Sequence, residues 1–473
     1  MATIETDYLI IGSGAVGLAF ADTLLSETDA HITIVDRHGK PGGHWNDAYS
    51  FVSLHQPSAF YGVNSLALGE NRKDEAGVNK GYYELASGAE VSGYFDRVMN
   101  QRLIPSGRVE YFPMSDYRGE GRFVSLLSSR ETTATVRRKV IDATYYGTTV
   151  PSTHTPKFKI SDGATVVPPN ALPQLWKHPG RRPSHFIILG AGKTAMDVGV
   201  WLLKSGVDAD LITWIVPRDS WLLNRHHTQP GDEFFHQTIG GQADLMGAIA
   251  AASSADDLFL RLEACGVMMR IDPAHTPSMF HYATISRGEV DLLRQLKNVV
   301  RMGRVREVAA DGLLLDGGAL PMPEGALYID CTATAVERRP AVPVFQDKLV
   351  TLQMVRIPQP AFSAALCAYI EATIEDDAQK NALCTAVPLP DTLDQYLVAT
   401  LTNIMNQFQW GQHKGIRRWI YESRLDGFGK VIAAADPADA EKQAVLARFK
   451  ANVGLAVGNL QTLIAKNAAG QAA

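Results

Sequence analysis

Apolar residues along the chain form two short runs, each followed by a glycine-rich segment and then by apolar positions at helical spacing. The first run covers residues 8–11 and the second covers residues 185–189. A short apolar run bounded by turn residues is typical of a strand buried in a parallel sheet, and apolar positions three and four apart are typical of a helix. The pattern therefore predicts two strand–turn–helix units and an α/β fold.

The glycines of the first unit have the spacing of a dinucleotide-binding turn. The segment reads Gly12-Ser13-Gly14-Ala15-Val16-Gly17. In such a turn the first glycine permits the tight bend, the second lets the backbone approach a pyrophosphate, and the third lets helix and strand pack closely. We therefore predict that Gly12, Gly14 and Gly17 bind a dinucleotide in a Rossmann-like unit.

The second unit carries a similar turn, Gly190-Ala191-Gly192-Lys193-Thr194-Ala195, with alanine as the third small residue. A pyrophosphate in either turn would meet the positive N-terminal end of the following helix. We predict that Gly190, Gly192, Lys193 and Thr194 bind a second dinucleotide.

The two units differ where the next strand ends. In the first unit this strand ends at Asp36, at the distance where a carboxylate receives ribose hydroxyls, and Arg37 follows as a further cofactor-binding candidate. In the second unit Pro217 and Arg218 stand at this place, and Asp219 comes one or two residues late. A guanidinium without a carboxylate favours the 2′-phosphate of NADP over NAD. The alternative is that Arg218 is a surface residue after a strand.

The remaining pattern indicates how the domains are arranged. Residues 148–183 have the composition of a linker, residues 311–318 predict a hairpin, and residues 326–332 predict a buried strand. The first domain is therefore predicted to be discontinuous, interrupted by the second. The predicted parts are a first dinucleotide-binding domain at 1–150, a second dinucleotide-binding domain with its linker at 151–325, the return part of the first domain at 326–390, and a helical C-terminal segment at 391–473.

The C-terminal segment has apolar residues at three and four spacing over 394–409 and 436–466. Asp436 followed by Pro437 predicts a helix start, with a capping side chain and then proline at the first helical position. Packing against the first domain is the favoured interpretation of these helices, and a substrate-binding or dimerisation role is the alternative.

Composition excludes several classes of protein. The formal net charge is −5, without the basic excess that nucleic acid or an anionic membrane would attract. We expect neither a signal peptide nor a membrane span, because residues 1–7 lack a basic region and the sequence shows no run of about 18 apolar residues. The four cysteines are scattered, which favours a reducing, cytoplasmic location and speaks against a dithiol or metal centre. We expect an enzyme with a small-molecule substrate, and its oligomeric state stays open.

Beyond the first ribose site, the segment Pro41-Gly42-Gly43-His44-Trp45 resembles the flavin-containing and Baeyer-Villiger monooxygenase group. The resemblance extends over roughly residues 5–345. It implies that the first unit binds FAD, with Gly43, His44 and Trp45 at the cofactor. It also implies that Thr144 and Thr332, in turns after two strands, lie beside the cofactor.

The segment Leu54-His55-Gln56-Pro57-Ser58-Ala59-Phe60-Tyr61 resembles the flavin-facing loop of that group. The resemblance implies that Gln56 binds the cofactor and that His55 and Tyr61 are catalytic hydrogen-bonding residues beside the flavin ring. His55 replaces an acidic residue of the group and can titrate near neutrality. Alternatively, His55 is a loop residue bonded to nearby backbone.

The second unit matches the pattern of the group only in part. Residues 190–197 resemble its G-x-G-x-S-G-x-D motif, and Trp221 and Arg225 fall near the predicted nicotinamide side, although core packing is favoured for Trp221. The linker fingerprint F-x-G-x-x-x-H-x-x-x-[FY] is not matched over residues 158–168. Flavin binding is therefore better supported than NADP binding or oxygen insertion.

Together these features predict an FAD- and NADPH-dependent monooxygenase acting on a small or medium-sized organic substrate. One alternative is an FAD-dependent oxidase or dehydrogenase reduced directly by its substrate. Another is a non-catalytic flavin-binding protein. Consumption of NADPH separates the first interpretation from the others.

Overall fold

The computed structural model describes residues 2–175, 177 and 183–472, and has the predicted α/β architecture. Its strands are β1 (Ala2–Ile11), β2 (Ile32–Val35), β3 (Val109–Phe112), β4 (Ser115–Gly119), β5 (Arg122–Ser125), β6 (Glu131–Asp142), β7 (Lys159–Ile160), β8 (Val166–Val167), β9 (His185–Leu189), β10 (Ile212–Ile215), β11 (Ser220–Asn224), β12 (Met268–Met269), β13 (Met279–Ile285), β14 (Asn298–Val300), β15 (Val305–Ala309), β16 (Gly312–Leu315), β17 (Gly318–Pro321), β18 (Ala326–Asp330), β19 (Phe345–Gln346) and β20 (Leu349–Thr351). Its α-helices are α1 (Ala15–Glu27), α2 (Gly88–Arg97), α3 (Leu172–Leu175), α4 (Lys193–Lys204), α5 (Phe235–Ala251), α6 (Ala255–Ala264), α7 (Arg287–Leu293), α8 (Pro360–Thr373), α9 (Asp377–Leu383), α10 (Leu393–Gln412), α11 (Lys414–Glu422), α12 (Gly429–Ala433) and α13 (Ala440–Ala472).

Each glycine turn follows an interior strand of one of two sheets, and the central strands of both sheets are parallel. The first sheet has the order β19-β20-β6-β1-β2-β3, and the second has the order β14-β10-β9-β18-β8. The strands before the glycine turns, β1 and β9, lie in the interior of their sheets and pair in parallel with both neighbours. Ligands of open parallel sheets bind at the carboxyl ends of such strands.

The sheet topology differs from the predicted linker and return boundary. Strand β18 pairs with β9 inside the second sheet, so the chain returns to the first sheet at β19 and β20 and not at residue 326. Within the predicted linker, β7 pairs with β15 and β8 pairs with β18. Strand pairing across many residues decides this topology, and the local composition that suggested a linker carries no information about it.

The last helix begins later than predicted, at Ala440 rather than at Pro437. The Asp436 carboxylate accepts a hydrogen bond from the backbone N–H of Ala438 at 2.8 Å, which closes a turn instead of starting a helix. Asp439 takes over as the cap, because its carboxylate accepts from the N–H of Lys442 at 3.0 Å.

The C-terminal helices pack on both halves of the molecule. Trp410 and Trp419 of α10 and α11 are buried in the core of the first domain. Leu397 of α10 and Leu460 of α13 are buried in a second core with Trp221, which is fully buried as predicted for a packing residue. No helix in the described part of the chain has the length and hydropathy needed to cross a membrane.

Candidate functional site

The first glycine turn has the close backbone contacts that its sequence predicts. Gly12 has a φ of +101°, which favours glycine. A Cβ added to Gly17 would lie 2.0 Å from the carbonyl oxygen of Gly12, so the third glycine is required for helix α1 to approach β1. A Cβ added to Gly43 would lie 3.0 Å from the Cα of Gly14, which brings the predicted Gly43 segment against the turn.

The second turn repeats this geometry. Gly190 has a φ of +110°, and the indole N–H of the buried Trp214 donates to its carbonyl oxygen at 2.7 Å. Gly192 precedes the first residue of α4. Each turn thus directs a helix N-terminus towards the carboxyl edge of its sheet, as an anionic pyrophosphate requires.

The two predicted threonines lie at different glycine turns. The Asp142 carboxylate accepts from the N–H and hydroxyl of Thr144, and a Cβ on Gly12 would lie 2.9 Å from the Thr144 methyl group. The Asp330 carboxylate accepts from the same two groups of Thr332, which lies beside Gly190. The late threonine therefore belongs to the second unit and not to the first, because β18 is a strand of the second sheet.

Asp36 lies at the end of β2, as predicted, but its carboxylate is already surrounded by protein donors. One oxygen accepts from the N–H and hydroxyl of Ser13, and the other accepts from the N–H and ring of His38. Burial raises the pKa of Asp36, but the bonds from His38 and Ser13 outweigh it and hold the pKa below its ordinary value. The ring of His38 also contacts Asp47 at 2.8 Å.

We predict that His38 makes stability depend on pH. Its bond to Asp36, against an opposing effect of burial and with help from Asp47, raises the pKa of His38 to about 9. Because the folded pKa lies above the unfolded value of about 6.5, the stabilisation is fully present below pH about 6.5 and is lost as the pH rises towards about 9. Thermal unfolding of His38→Gln, compared with the exposed control His31→Gln, measures this slope. An unchanged slope in His38→Gln would contradict the prediction.

The predicted flavin-facing loop is held by aromatic contacts and by one arginine. The indole N–H of Trp45 donates to the Tyr61 hydroxyl at 2.7 Å, and the Tyr61 ring packs edge-on against Phe95. Burial raises the pKa of Tyr61, so this hydroxyl stays protonated at neutral pH. Arg424 donates to the carbonyl oxygens of Ala59, Tyr61 and Val63 at 2.6–2.9 Å. The C-terminal segment thus fixes the backbone that carries Tyr61.

The other predicted residues near the first turn have different surroundings. The His44 ring stacks on Trp45, and burial lowers the pKa of His44 to about 4. Gln56 is half-buried in the same loop as His55. Arg37 is 76% exposed and lies 3.4 Å from Asp116, so its side chain is paired away from the turn.

His55 lies where the first domain meets the second glycine turn. Its ring nitrogen is 3.7 Å from the carboxylate of Asp197 on α4, and the Tyr49 hydroxyl donates to the same carboxylate at 2.7 Å. Lys193, the first residue of α4, forms an ion pair with Asp197. Burial and the Lys193 ammonium lower the pKa of His55, so the imidazole is neutral at pH 7.

A second ion pair extends this cluster. Arg225 is 1% exposed and contacts Glu289 at 2.7 Å, while Lys193 contacts the other carboxylate oxygen of Glu289 at 3.1 Å. Arg225 also donates to the carbonyl oxygen of His55 and to the side chain of Asn79. The ring and backbone of His55 therefore adjoin Asp197, Lys193 and Arg225, and the cluster joins the two domains.

The sequence predicted that Lys193 binds a cofactor and did not indicate that it forms ion pairs. Asp197 was visible as the last residue of the G-x-G-x-S-G-x-D motif, and Ser286 and Glu289 have the spacing of a capping box, which they form at the start of α7. Neither signal indicates that Glu289 faces Lys193 and Arg225, because that contact depends on how α7 packs against α4.

Arg218, the predicted 2′-phosphate anchor, lies at the carboxyl end of the second sheet, after β10. Its guanidinium contacts both oxygens of Asp391 at 3.3 and 3.4 Å. The late carboxylate, Asp219, instead pairs with Arg301 at 2.8 Å. A cavity of about 400 Å³ opens beside Asp219 and Arg301 and is also lined by Ala191 of the glycine turn. The cavity is large enough to receive part of a nucleotide.

Comparisons with known proteins give one domain family and several relatives. Residues 10–70 match the model of the NAD(P)-binding Rossmann-like domain family. The chain is 45% identical over 462 residues to an uncharacterized protein of Mycobacterium tuberculosis (strain H37Rv), covering 98% of this chain and 85% of the relative. An uncharacterized protein of Mycobacterium bovis matches with the same values.

Solved structures of similar fold include a flavin-containing monooxygenase from Stenotrophomonas maltophilia, with 16% identity, a TM-score of 0.44, and coverage of 81% of this chain and 100% of that chain. They also include the open form of cyclohexanone monooxygenase, with 12% identity, a TM-score of 0.49, and coverage of 87% and 99%.

Proposed function

The chain belongs to the family of its mycobacterial relatives, and we propose that it is an FAD- and NADPH-dependent monooxygenase of a small or medium-sized organic substrate. The observation that carries the proposal is the contact between the two dinucleotide units. Tyr49 and His55, from the segment after β2, reach Asp197 on the helix that follows the second turn. This contact favours a reaction in which one bound dinucleotide passes a hydride to the other.

The residues of the first unit fit FAD. The backbones of Gly14 and Gly43 approach each other without side chains, which suits a pyrophosphate lying against the turn. Asp36 remains ionised at the ribose end. His55 and Tyr61 share the loop assigned to the ring end, and Trp45 donates a hydrogen bond to that loop at Tyr61. The second unit would hold NADPH on Gly190, Gly192 and Thr194, with Arg218 at the 2′-phosphate.

Bound FAD would supply the hydride acceptor and the oxygen-reactive group of this chemistry, and Gly12, Gly14 and Gly43 would hold it. The neutral ring of His55 can accept or donate a proton beside the reacting groups. The Tyr61 hydroxyl accepts from Trp45, which leaves its own proton to donate elsewhere. Arg424 holds the backbone of Tyr61, so the hydroxyl is positioned before any ligand binds.

The proposal is tested by the visible spectrum of the purified protein and its reduction without oxygen. We expect a flavin band near about 450 nm that NADPH bleaches and NADH bleaches far more slowly. Product formation coupled to NADPH oxidation would then support the monooxygenase. A yellow protein that its substrate reduces without any nicotinamide would support an oxidase or dehydrogenase instead.

A direct oxidase or dehydrogenase is the second candidate. Two observations favour it: the absent linker fingerprint over residues 158–168, and the pairing of Arg218 with Asp391, which offsets part of the charge meant for a 2′-phosphate. A flavin-binding protein without catalytic activity is a third candidate, and it predicts bound FAD that neither donor reduces. Under each of the three candidate functions, we place the protein in the cytoplasm on the basis of its cysteine pattern.

We predict that His55→Ala lowers coupled turnover by about 10²-fold or more, the range seen when a general acid or base is removed. Tyr61→Phe should lower it about tenfold, because one hydrogen bond to the reacting groups is lost. His275→Ala and Tyr421→Phe, which change exposed residues, serve as matched controls. If both site variants kept wild-type turnover and wild-type release of hydrogen peroxide, the site role of His55 and Tyr61 would be wrong.

A further inference from the structure

Two arginines and one histidine from separate segments converge on the carboxylate of Asp391. Arg218 follows β10 and contacts it at 3.3 and 3.4 Å, and His281 of β13 contacts it at 2.5 Å. Arg338, from the loop after β18, pairs with the same carboxylate. Asp391 itself lies immediately before the capping residue of α10, in the segment that enters the C-terminal helices.

This cluster carries more positive than negative charge and is open to solvent on its cationic side. Two guanidiniums face one carboxylate, before any charge on His281 is counted. The Asp391 side chain is 11% exposed, whereas Arg338 is 65% exposed and His281 is 42% exposed. Burial raises the pKa of Asp391, but Arg338, His281 and Arg218 outweigh it and lower the pKa, so the carboxylate is ionised at neutral pH.

The backbone of Asp391 is fixed from both sides. Its N–H donates to the side chain of Gln395 at 2.8 Å, and its carbonyl oxygen accepts from the N–H of Phe280 at 3.3 Å. The carboxylate is therefore held at the cations by the fold and does not depend on their attraction alone. The carboxylate of Asp391 is thus a fixed negative charge beside Arg218, at the place where the second unit would receive the ribose end of its nucleotide.

We propose that Asp391 competes with the 2′-phosphate of the nucleotide for Arg218, His281 and Arg338, and so limits the affinity of the second unit for 2′-phosphorylated nucleotides. A phosphate monoester carries up to two negative charges and accepts several hydrogen bonds, so it can replace one carboxylate among these cations. Its approach is opposed by the fixed charge of Asp391. The inference rests on the proposed function, because it concerns the nucleotide site of the second unit.

The variant Asp391→Asn removes the charge and keeps the size of the side chain. We expect it to tighten the binding of 2′,5′-ADP about tenfold and to leave the binding of 5′-AMP unchanged, since only the first ligand carries the 2′-phosphate. Calorimetric titration of the purified full-length chain at one fixed ionic strength measures both affinities. Asp394→Asn, which alters an exposed residue on the first turn of α10 that bonds Asn467, is the matched control.

A double variant shows whether the gain acts through the cations. In Asp391→Asn with Arg218→Met, the tightening of 2′,5′-ADP should disappear. If Asp391→Asn left 2′,5′-ADP binding unchanged or weakened it, or tightened both ligands equally, Asp391 would be a scaffold for the arginines and the inference would be overturned. Failure of both proteins to bind 2′,5′-ADP would overturn it as well.

This experiment separates the inference from the proposed function. Equilibrium binding of 2′,5′-ADP requires no flavin reduction and no oxygen, so it is measurable whether or not NADPH bleaches the flavin band. Tighter binding in Asp391→Asn without reduction by NADPH would support the competing carboxylate and reject the monooxygenase. Reduction of the flavin by NADPH, together with unchanged binding of 2′,5′-ADP in the variant, would support the monooxygenase and reject the competing carboxylate.

Discussion

Gly17→Ala is expected to abolish FAD binding and to destabilise the first domain by about 3 kcal/mol. The added Cβ would lie 2.0 Å from the carbonyl oxygen of Gly12 and 3.3 Å from the Cβ of Ala143. The nearest atom belongs to the backbone and cannot rotate away, so helix α1 must move from β1. The movement would displace the amides that are meant to face the pyrophosphate. Flavin content after purification and urea unfolding measure the two effects.

Gly93→Ala is the control for this prediction. Gly93 lies in helix α2, has no positive φ, and an added Cβ there meets no atom within 4 Å. Alanine should therefore stabilise the protein slightly, by at most about 1 kcal/mol, and leave flavin content unchanged. Normal flavin content in Gly17→Ala would show that the first turn does not hold the cofactor.

Glu289→Gln is expected to destabilise the protein by about 3–5 kcal/mol, the range seen when one partner of a buried ion pair is removed. The glutamine side chain keeps an oxygen that can accept from the N–H of Ser286. It removes the negative charge that pairs with Lys193 and Arg225. Burial raises the pKa of Glu289, but the two cations outweigh it and lower the pKa to about 2. The stabilisation is thus present above pH about 4.5 and is lost as the pH falls towards about 2.

Glu422→Gln provides the comparison, because Glu422 pairs with Arg418 on the surface and both side chains are more than half exposed. Its removal should cost less than about 0.5 kcal/mol. Urea unfolding at pH 7 measures both variants. Equal effects would mean that water reaches the Lys193 and Arg225 charges and that the interface is not a dry cluster.

The glycine turns could be predicted from the sequence because their physical requirements are local. A positive φ at Gly12 and Gly190, and the contact between Gly17 and Gly12, involve residues within a few positions of each other. The strand end at Asp36 followed from the length of one strand–helix–strand unit. The helix start at Pro437 was also argued locally and was wrong, because another aspartate nearby, Asp439, forms the cap.

The charged sites depended on contacts between distant parts of the chain. His55 meets Asp197, and Arg225 bonds the carbonyl oxygen of His55, across 142 and 170 positions of sequence. Local patterns indicated these residues singly, as members of a loop, a motif and a strand end. They did not indicate which charges would face each other, because burial and domain packing decide that.

The sequence by itself determined two strand–glycine turn–helix units, their order along the chain and the residues of their turns, since glycine geometry and apolar periodicity act over short distances. Only the tertiary structure decided what each charged group faces. Arg218 was predicted as an open phosphate anchor, and the fold gives it the carboxylate of Asp391, which lies 173 positions away. Charged groups interact through space, and the packing of whole elements decides which of them face each other. Asp391 meets Arg218 because the helical C-terminal segment packs on the second sheet.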